Sequence, residues 1–209
     1  ETEERVGGEP IYTTGYLLDL YRKNQFNLLW DNPASIDQLL KAIYASADEG
    51  LTPEDYHLEA LIRYGHDDEE ETAELRQVEY DLLLSDAMLL LAHHKRDGKV
   101  DPRKVEDKKN LEPATPRPWP VDTFLSAIKN STVQAVLDKL SPHHPSYLNL
   151  KKALHDYRQI AARGVWRHIP AGQSLKPGMT DPRVVLVRKR LAVTGELAGR
   201  SLDSSYYDR

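Results

Sequence analysis

Apolar residues return at helical spacing along most of the chain. Between Thr13 and Lys23, Leu17, Leu18 and Tyr21 share one face, which predicts a helix. Phe26-Asn27-Leu28-Leu29-Trp30 is short and bulky, and reads as extended. From Pro33 to Glu49, residues Ile36, Leu39, Leu40, Ile43, Tyr44 and Ala47 keep a three-to-four spacing. Pro33 near the start and Gly50 at the stop mark a second helix. Thr52-Pro53-Glu54-Asp55 predicts a restart, with Thr52 as the cap. The acidic run Asp67 to Glu71 is predicted to open a long helix that ends near Lys95. Its acids complement the positive end of the helix dipole, and His93, His94, Lys95 and Arg96 the negative end. The stretch Leu82 to Ala92 is apolar on most faces, so this helix is expected to be central and buried.

Gly98 to Pro120 carries Pro102, Pro113, Pro116, Pro118 and Pro120, which forbid a helix. Short helices are predicted near Val121–Lys129 and Thr132–Leu140, before breaks at Pro142 and Pro145. Ser146 to Arg163 has the cleanest amphipathic stripe, made of Tyr147, Leu150, Leu154, Tyr157 and Ala161, and Gly164 ends it. Val165 to Thr180 reads as an extended linker. Asp181 to Ala192 predicts one more helix, with Val184, Val187 and Leu191 on the apolar side. Its basic residues Arg183, Arg188, Lys189 and Arg190 are expected on an exposed face. After Gly195 no core-forming element is predicted, and the end from Ser201 to Arg209 is expected to be mobile or held by a neighbour. The fold class is all-α: a multi-helix bundle with proline-rich loops, followed by a separate short helix.

The chain has 209 residues, enough for one large domain or one domain and part of a second. Lys plus Arg is 28 against 33 Asp plus Glu, a net charge of −5. That balance argues against nucleic acid as a partner and gives no basic membrane patch. No 18-residue apolar stretch exists to span a membrane. Cysteine is 0, which removes disulfides, a thiol nucleophile, Fe–S clusters and cysteine-ligated zinc. The start ETEERVGGEP shows no signal peptide and reads as a truncation boundary or a mature terminus, so export stays open.

The candidate chemistry is sparse. His93-His94 and His143-His144 are adjacent pairs whose side chains would diverge by about 100° on a helix, unlike the i, i+4 pair of a helical zinc site. The acidic run lacks the alternation and the glycine of a calcium loop. There is no G-x-S-x-G, no S-x-x-K and no glycine-rich phosphate loop. No catalytic residue, metal ligand or cofactor is predicted. Asp86 is the exception to the bland reading, because it interrupts an apolar run. A buried carboxylate needs a partner, so Asp86 reads as an internal pin between helices, with Arg22 and Arg158 as candidate partners.

Several blocks together resemble the large periplasmic murein L,D-transpeptidases of the YcbB type. Tyr21 with Phe26 to Trp30, then Gly50-Leu51-Thr52-Pro53-Glu54-Asp55-Tyr56-His57, is similar to their "hGLdPadYh" signature. Ser85-Asp86-Ala87 and Gly98-Lys99-Val100-Asp101-Pro102 match a "tda…GkvdP" block. Leu140-Ser141-Pro142, Tyr147, Leu154, Tyr157-Arg158, Gly164-Val165-Trp166 and Leu175-Lys176-Pro177-Gly178 follow in the family's order. So do Asp181-Pro182-Arg183-Val184, Arg190-Leu191 and Thr194-Gly195. Leu28 stands where proline is expected, and Val165 where glycine is expected.

The resemblance implies a helical scaffold domain over 1–165, a linker over 166–180 and part of a peptidoglycan-binding-like module over 181–209. The family's catalytic domain, which attacks its donor peptide through a cysteine thiolate, has no counterpart in these residues, so nothing catalytic is carried over. Asp86, Trp30, Tyr56, Tyr147, Tyr157 and Trp166 are expected to be structural, Trp166 as a packing anchor. The implied partners are peptidoglycan or the catalytic domain of the parent chain, and the implied location is the periplasm or cell envelope. A stand-alone helical interaction module of the envelope is the alternative, and a wall enzyme acting through unidentified acids a third reading.

Overall fold

The computed structural model describes residues 4–66, 73–100, 119–164, 166–197 and 201–208. The acidic run Asp67–Glu71 and the prolines Pro102, Pro113, Pro116 and Pro118 lie outside the described residues. The fold is all-α, with a small hairpin added at the start. Its α-helices are α1 Thr14–Lys23, α2 Pro33–Ala45, α3 Leu58–His66, α4 Ala73–Asp97, α5 Val121–Lys129, α6 Val133–Asp138, α7 Pro145–Ala162 and α8 Pro182–Val193. The chain divides into two compact units, Glu1–Leu148 and Asn149–Arg209.

In the first unit the core forms around α4. Leu83, Leu84, Ala87, Met88 and Leu91 are buried there, in one cluster with Leu20, Leu39, Ile43, Leu61, Phe124 and Ile128. Burial on nearly every face of one helix is what the run from Leu82 to Ala92 dictates. α2 begins as its sequence directs: the Asn32 side chain accepts from the Ala34 amide, and Pro33 takes the first helical position. It then tightens into a 3₁₀ turn over Ser46–Glu49 and stops at Gly50.

Three local expectations are corrected. The first ten residues, for which no element is predicted, contain a hairpin. β1 Arg5–Val6 pairs antiparallel with β2 Glu9–Pro10 through Gly7-Gly8, both at positive φ. That is the conformation a two-residue hairpin turn needs, and a side chain at Gly7 would also collide with the Tyr64 hydroxyl. Phe26 to Trp30 does not start extended. Gln25 and Phe26 both adopt the left-handed conformation (φ 56° and 59°) and turn the chain off the end of α1. The restart at Thr52 is a single 3₁₀ turn, Pro53–Tyr56, without a side-chain cap. His57 at φ 56° ends it before α3 begins.

The second unit is built differently. No α7 residue is fully buried; Leu150 is 71% and Tyr157 55% exposed. A clean stripe reports a face able to be buried, not a neighbour that buries it. At α8 the Asp181 side chain caps by accepting from the Arg183 amide at 2.8 Å, and Val184 is buried. Two expectations fail here. The tail is not loose: Thr180 bridges Tyr206, Gly178 N donates to Tyr207 O, Tyr207 N to Met179 O, and Asp181 N to Ser205 O. Arg188 is not on an exposed face but buried. Its guanidinium donates to the Tyr206 carbonyl at 3.0 Å, the Ser201 carbonyl at 3.4 Å and Asp208 Oδ1 at 2.5 Å. The returning tail supplies carbonyls and a carboxylate that helical periodicity cannot foresee.

Candidate functional site

α4 places polar side chains in the middle of the core. Asp81, Ser85, Asp86 and Lys95 are all buried. The spacing of Asp81 and Ser85 stacks them on one face, and Asp86 looks out about 100° away. Each carboxylate is therefore aimed at a different connector.

Asp86 holds the segment before α1 and the turn before α3. The Thr13 amide donates to Oδ1 at 2.8 Å and the Thr13 hydroxyl donates to the same atom at 2.6 Å. The Tyr12 amide lies 3.3 Å from each oxygen. His57 Nε2 lies 2.8 Å from Oδ2, within hydrogen-bond distance. The left-handed backbone at His57 aims the ring inward, where Tyr12 stacks on it with ring centres 5.8 Å apart. Neither arginine named from sequence is the partner. Arg22 is exposed and faces Asp19 at 3.8 Å, and Arg158 belongs to the other unit. Thr13 makes no side-chain cap for α1 because its hydroxyl is spent on Asp86.

Asp81 does the same for the loop after α1. The Leu29 and Trp30 amides both donate to Oδ1 at 2.8 Å, and the Tyr21 hydroxyl donates to Oδ2. Ser85 Oγ accepts from Trp30 Nε1 at 2.9 Å and lies 3.0 Å from the Tyr21 hydroxyl. Burial, then the Asp81 charge, pushes the Tyr21 phenol far above its ordinary range, so it stays protonated and keeps donating.

At the far end of α4, Lys95 Nζ donates to Glu49 Oε1 at 3.0 Å and to Ser141 Oγ at 3.1 Å. The Tyr147 hydroxyl donates to Glu49 Oε2 at 2.8 Å. Burial and Glu49 push its pKa upward. Tyr56 is fully buried with its hydroxyl 2.9 Å from His94 Nδ1; burial raises the phenol pKa and lowers that of His94. Tyr157 and Trp166 stand apart from these networks. Their rings meet edge to face at 6.0 Å, Arg190 covers Trp166 at 4.5 Å, and Trp166 is 44% exposed.

The chemistry of this spine is tethering. Asp81 and Asp86 spend their oxygens on backbone amides, hydroxyls and one imidazole, an arrangement that fixes loops. Sequence reasoning missed Thr13, His57, Asp81 and Lys95. Asp81 was within reach, since it immediately precedes the apolar run that singled out Asp86.

A cleft of about 370 Å³ lies between α1 and α4, lined by Leu17, Leu18, Tyr21, Val78 and Leu82. Phe26 and Leu28 line it from the loop after α1, and Glu4 from the hairpin segment. Among the described residues no helix is long and apolar enough to cross a membrane, and no three His, Asp or Glu side chains are grouped to hold a metal ion.

No curated protein matches the chain. A family model described as "Scaffold domain" matches residues 15–154, about two thirds of the sequence, and that stretch contains α4 and every tether on it except the hairpin-side residues Tyr12 and Thr13. The chain belongs to the Scaffold domain family.

Proposed function

We propose that this chain is the non-catalytic scaffold portion of an exported L,D-transpeptidase-like protein that cross-links and remodels the cell wall. The observation that carries the reading is the Scaffold domain match over residues 15–154. The ordered blocks from Gly50 to Gly195, similar to those of the YcbB-type murein enzymes, support it. In this reading residues 1–165 are the scaffold, 166–180 a linker and 181–209 part of a peptidoglycan-binding-like module. The partner is peptidoglycan or the catalytic domain of the parent chain, in the periplasm or envelope. The transpeptidase reaction goes through a thiolate, and with 0 cysteines this chain supplies none. Its contribution is geometric: tethered loops hold a rigid body against which a catalytic domain is placed.

Disrupting the encoding gene and measuring cross-linked muropeptides tests this. Cross-links of the L,D type should fall, return with the full gene, and stay low when residues 1–209 alone are supplied. An unchanged muropeptide profile contradicts the transpeptidase link. Restoration by residues 1–209 alone contradicts the non-catalytic role.

A further inference from the structure

The cleft between α1 and α4 combines an apolar floor with a rim held out of its relaxed conformation. Phe26 is 70% exposed, yet its backbone is left-handed, a conformation that bulky side chains avoid. The loop is locked in that state. Phe26 N donates to Tyr21 O at 2.8 Å, and Asn24 and Asn27 each donate a side-chain amide to the other's carbonyl at 2.9 Å. Further along the loop, Asp81 grips the amides of Leu29 and Trp30. A strained, fixed loop that leaves its aromatic ring in solvent is costly for folding alone. It is useful where a ring must stand ready at the mouth of a cleft, because ordering cost is then removed from binding.

We propose that this cleft docks an amphipathic helix of a partner polypeptide, apolar at i, i+3/i+4 and i+7 and basic at the end that meets Glu4. The span fits. Thr14 and Tyr21 both line the cleft on α1, and seven residues of helix rise about 10 Å, two turns of an incoming helix. The chemistry fits as well. Leu18, Val78 and Leu28 offer side chains for a helix-in-groove contact, and Glu4, whose Oε2 accepts from the Thr14 hydroxyl at 2.6 Å, sets an exposed carboxylate at the Thr14 end. The proposal deepens the scaffold reading by naming the chemistry of what the scaffold holds.

The test uses the whole chain and a synthetic helical peptide of about 18 residues, long enough to be partly helical alone. It carries leucines at the stated spacing and lysines at one end; a second peptide carries glutamates there, and a third is scrambled. The lysine peptide should bind with amide shifts confined to Leu18, Phe26, Leu28 and Val78. Phe26→Gly should weaken it by about tenfold or more while leaving the melting temperature unchanged or raised, since glycine suits that backbone. Glu4→Lys should reverse the preference to the glutamate peptide. Equal binding of the scrambled peptide, shifts elsewhere, or full affinity in Phe26→Gly overturns the proposal. Tighter occupancy by an alkyl maltoside makes the cleft an acyl-chain site, and concentration-dependent shifts of the same residues without peptide make it a self-association face; either overturns it. Loss of peptide binding with an intact muropeptide effect removes the docking site and keeps the scaffold reading; the opposite pattern does the reverse.

Discussion

The two units reach order by opposite routes. Around α4, apolar side chains from the helices α1 to α6 bury one another, and a few buried polar groups tie loops into that core. In the second unit Val184 is the only buried hydrophobic side chain among the described residues, and Arg188 is buried beside it. There the order comes from backbone hydrogen bonds between 178–181 and 205–207 and from one guanidinium reaching the tail. The first unit should therefore unfold as a block, and the second should open locally, since local stability follows buried apolar contact.

The largest break in that contrast should come from the spine. Asp81→Ala strands the buried Leu29 and Trp30 amides, while the Tyr21 hydroxyl keeps the residue 81 carbonyl and Ser85, and Asp86→Ala strands the Thr13 amide and His57. Each buried donor left without its acceptor costs about 1–3 kcal/mol, so the loss from either change is on the order of 3 kcal/mol. For a chain of this size that lowers the melting temperature by roughly 10 °C. A loss within about 0.5 kcal/mol in urea melts, the range of exposed substitutions, would show that the carboxylates are incidental.

Alkaline titration sharpens the same point. Tyr21, Tyr56 and Tyr147 have folded pKa values raised above the ordinary phenol range near 10. A raised folded pKa gives stability that is complete below the unfolded value and lost as pH rises past it. Stability of the first unit should fall from about pH 10 upward, and Tyr21→Phe should make that fall shallower. An equal slope in mutant and parent would remove Tyr21 from the account.

Arg188→Ala should act only locally. Amide exchange at Gly178, Asp181 and Tyr207 should rise by about tenfold or more while the main melting transition stays in place. A shift of the main transition would mean that the two units are not energetically separate. Smallest of all is Trp166→Ala. With the ring 44% exposed it should cost less than about 1 kcal/mol and loosen only its surroundings, read by exchange in residues 166–181.

Most helices were legible because the features that make them are local. Pro33 with Asn32 before it, Asp181 with Pro182 after it, and the apolar run from Leu82 all declare themselves within one or two turns. The need for Asp86 to have a partner was legible too, from the cost of burying a carboxylate. The partners were not. A charged residue was sought, but Asp86 is held by Thr13, Tyr12 and His57, and two of those contacts use backbone amides, which every residue but proline carries. No residue type advertises such a bond. The left-handed Phe26 was hidden for a related reason: asparagine bonds and Asp81 impose that backbone from outside the residue. Arg188 was misplaced because its burial depends on a tail that returns from 13 to 20 residues later.

Hydrogen exchange at three loop amides tests the tethering most directly. Thr13, Leu29 and Trp30 precede helices or lie in a connector, where exchange is ordinarily fast, yet each amide donates to a buried carboxylate on α4. Their protection should equal that of Leu83, Leu84 and Leu91 and exceed that of Gly178 and Tyr207, so that they exchange only when the whole first unit unfolds. Exchange of these three amides at the rate of the exposed connector residues, with α4 still protected, would show that the carboxylates do not hold the loops.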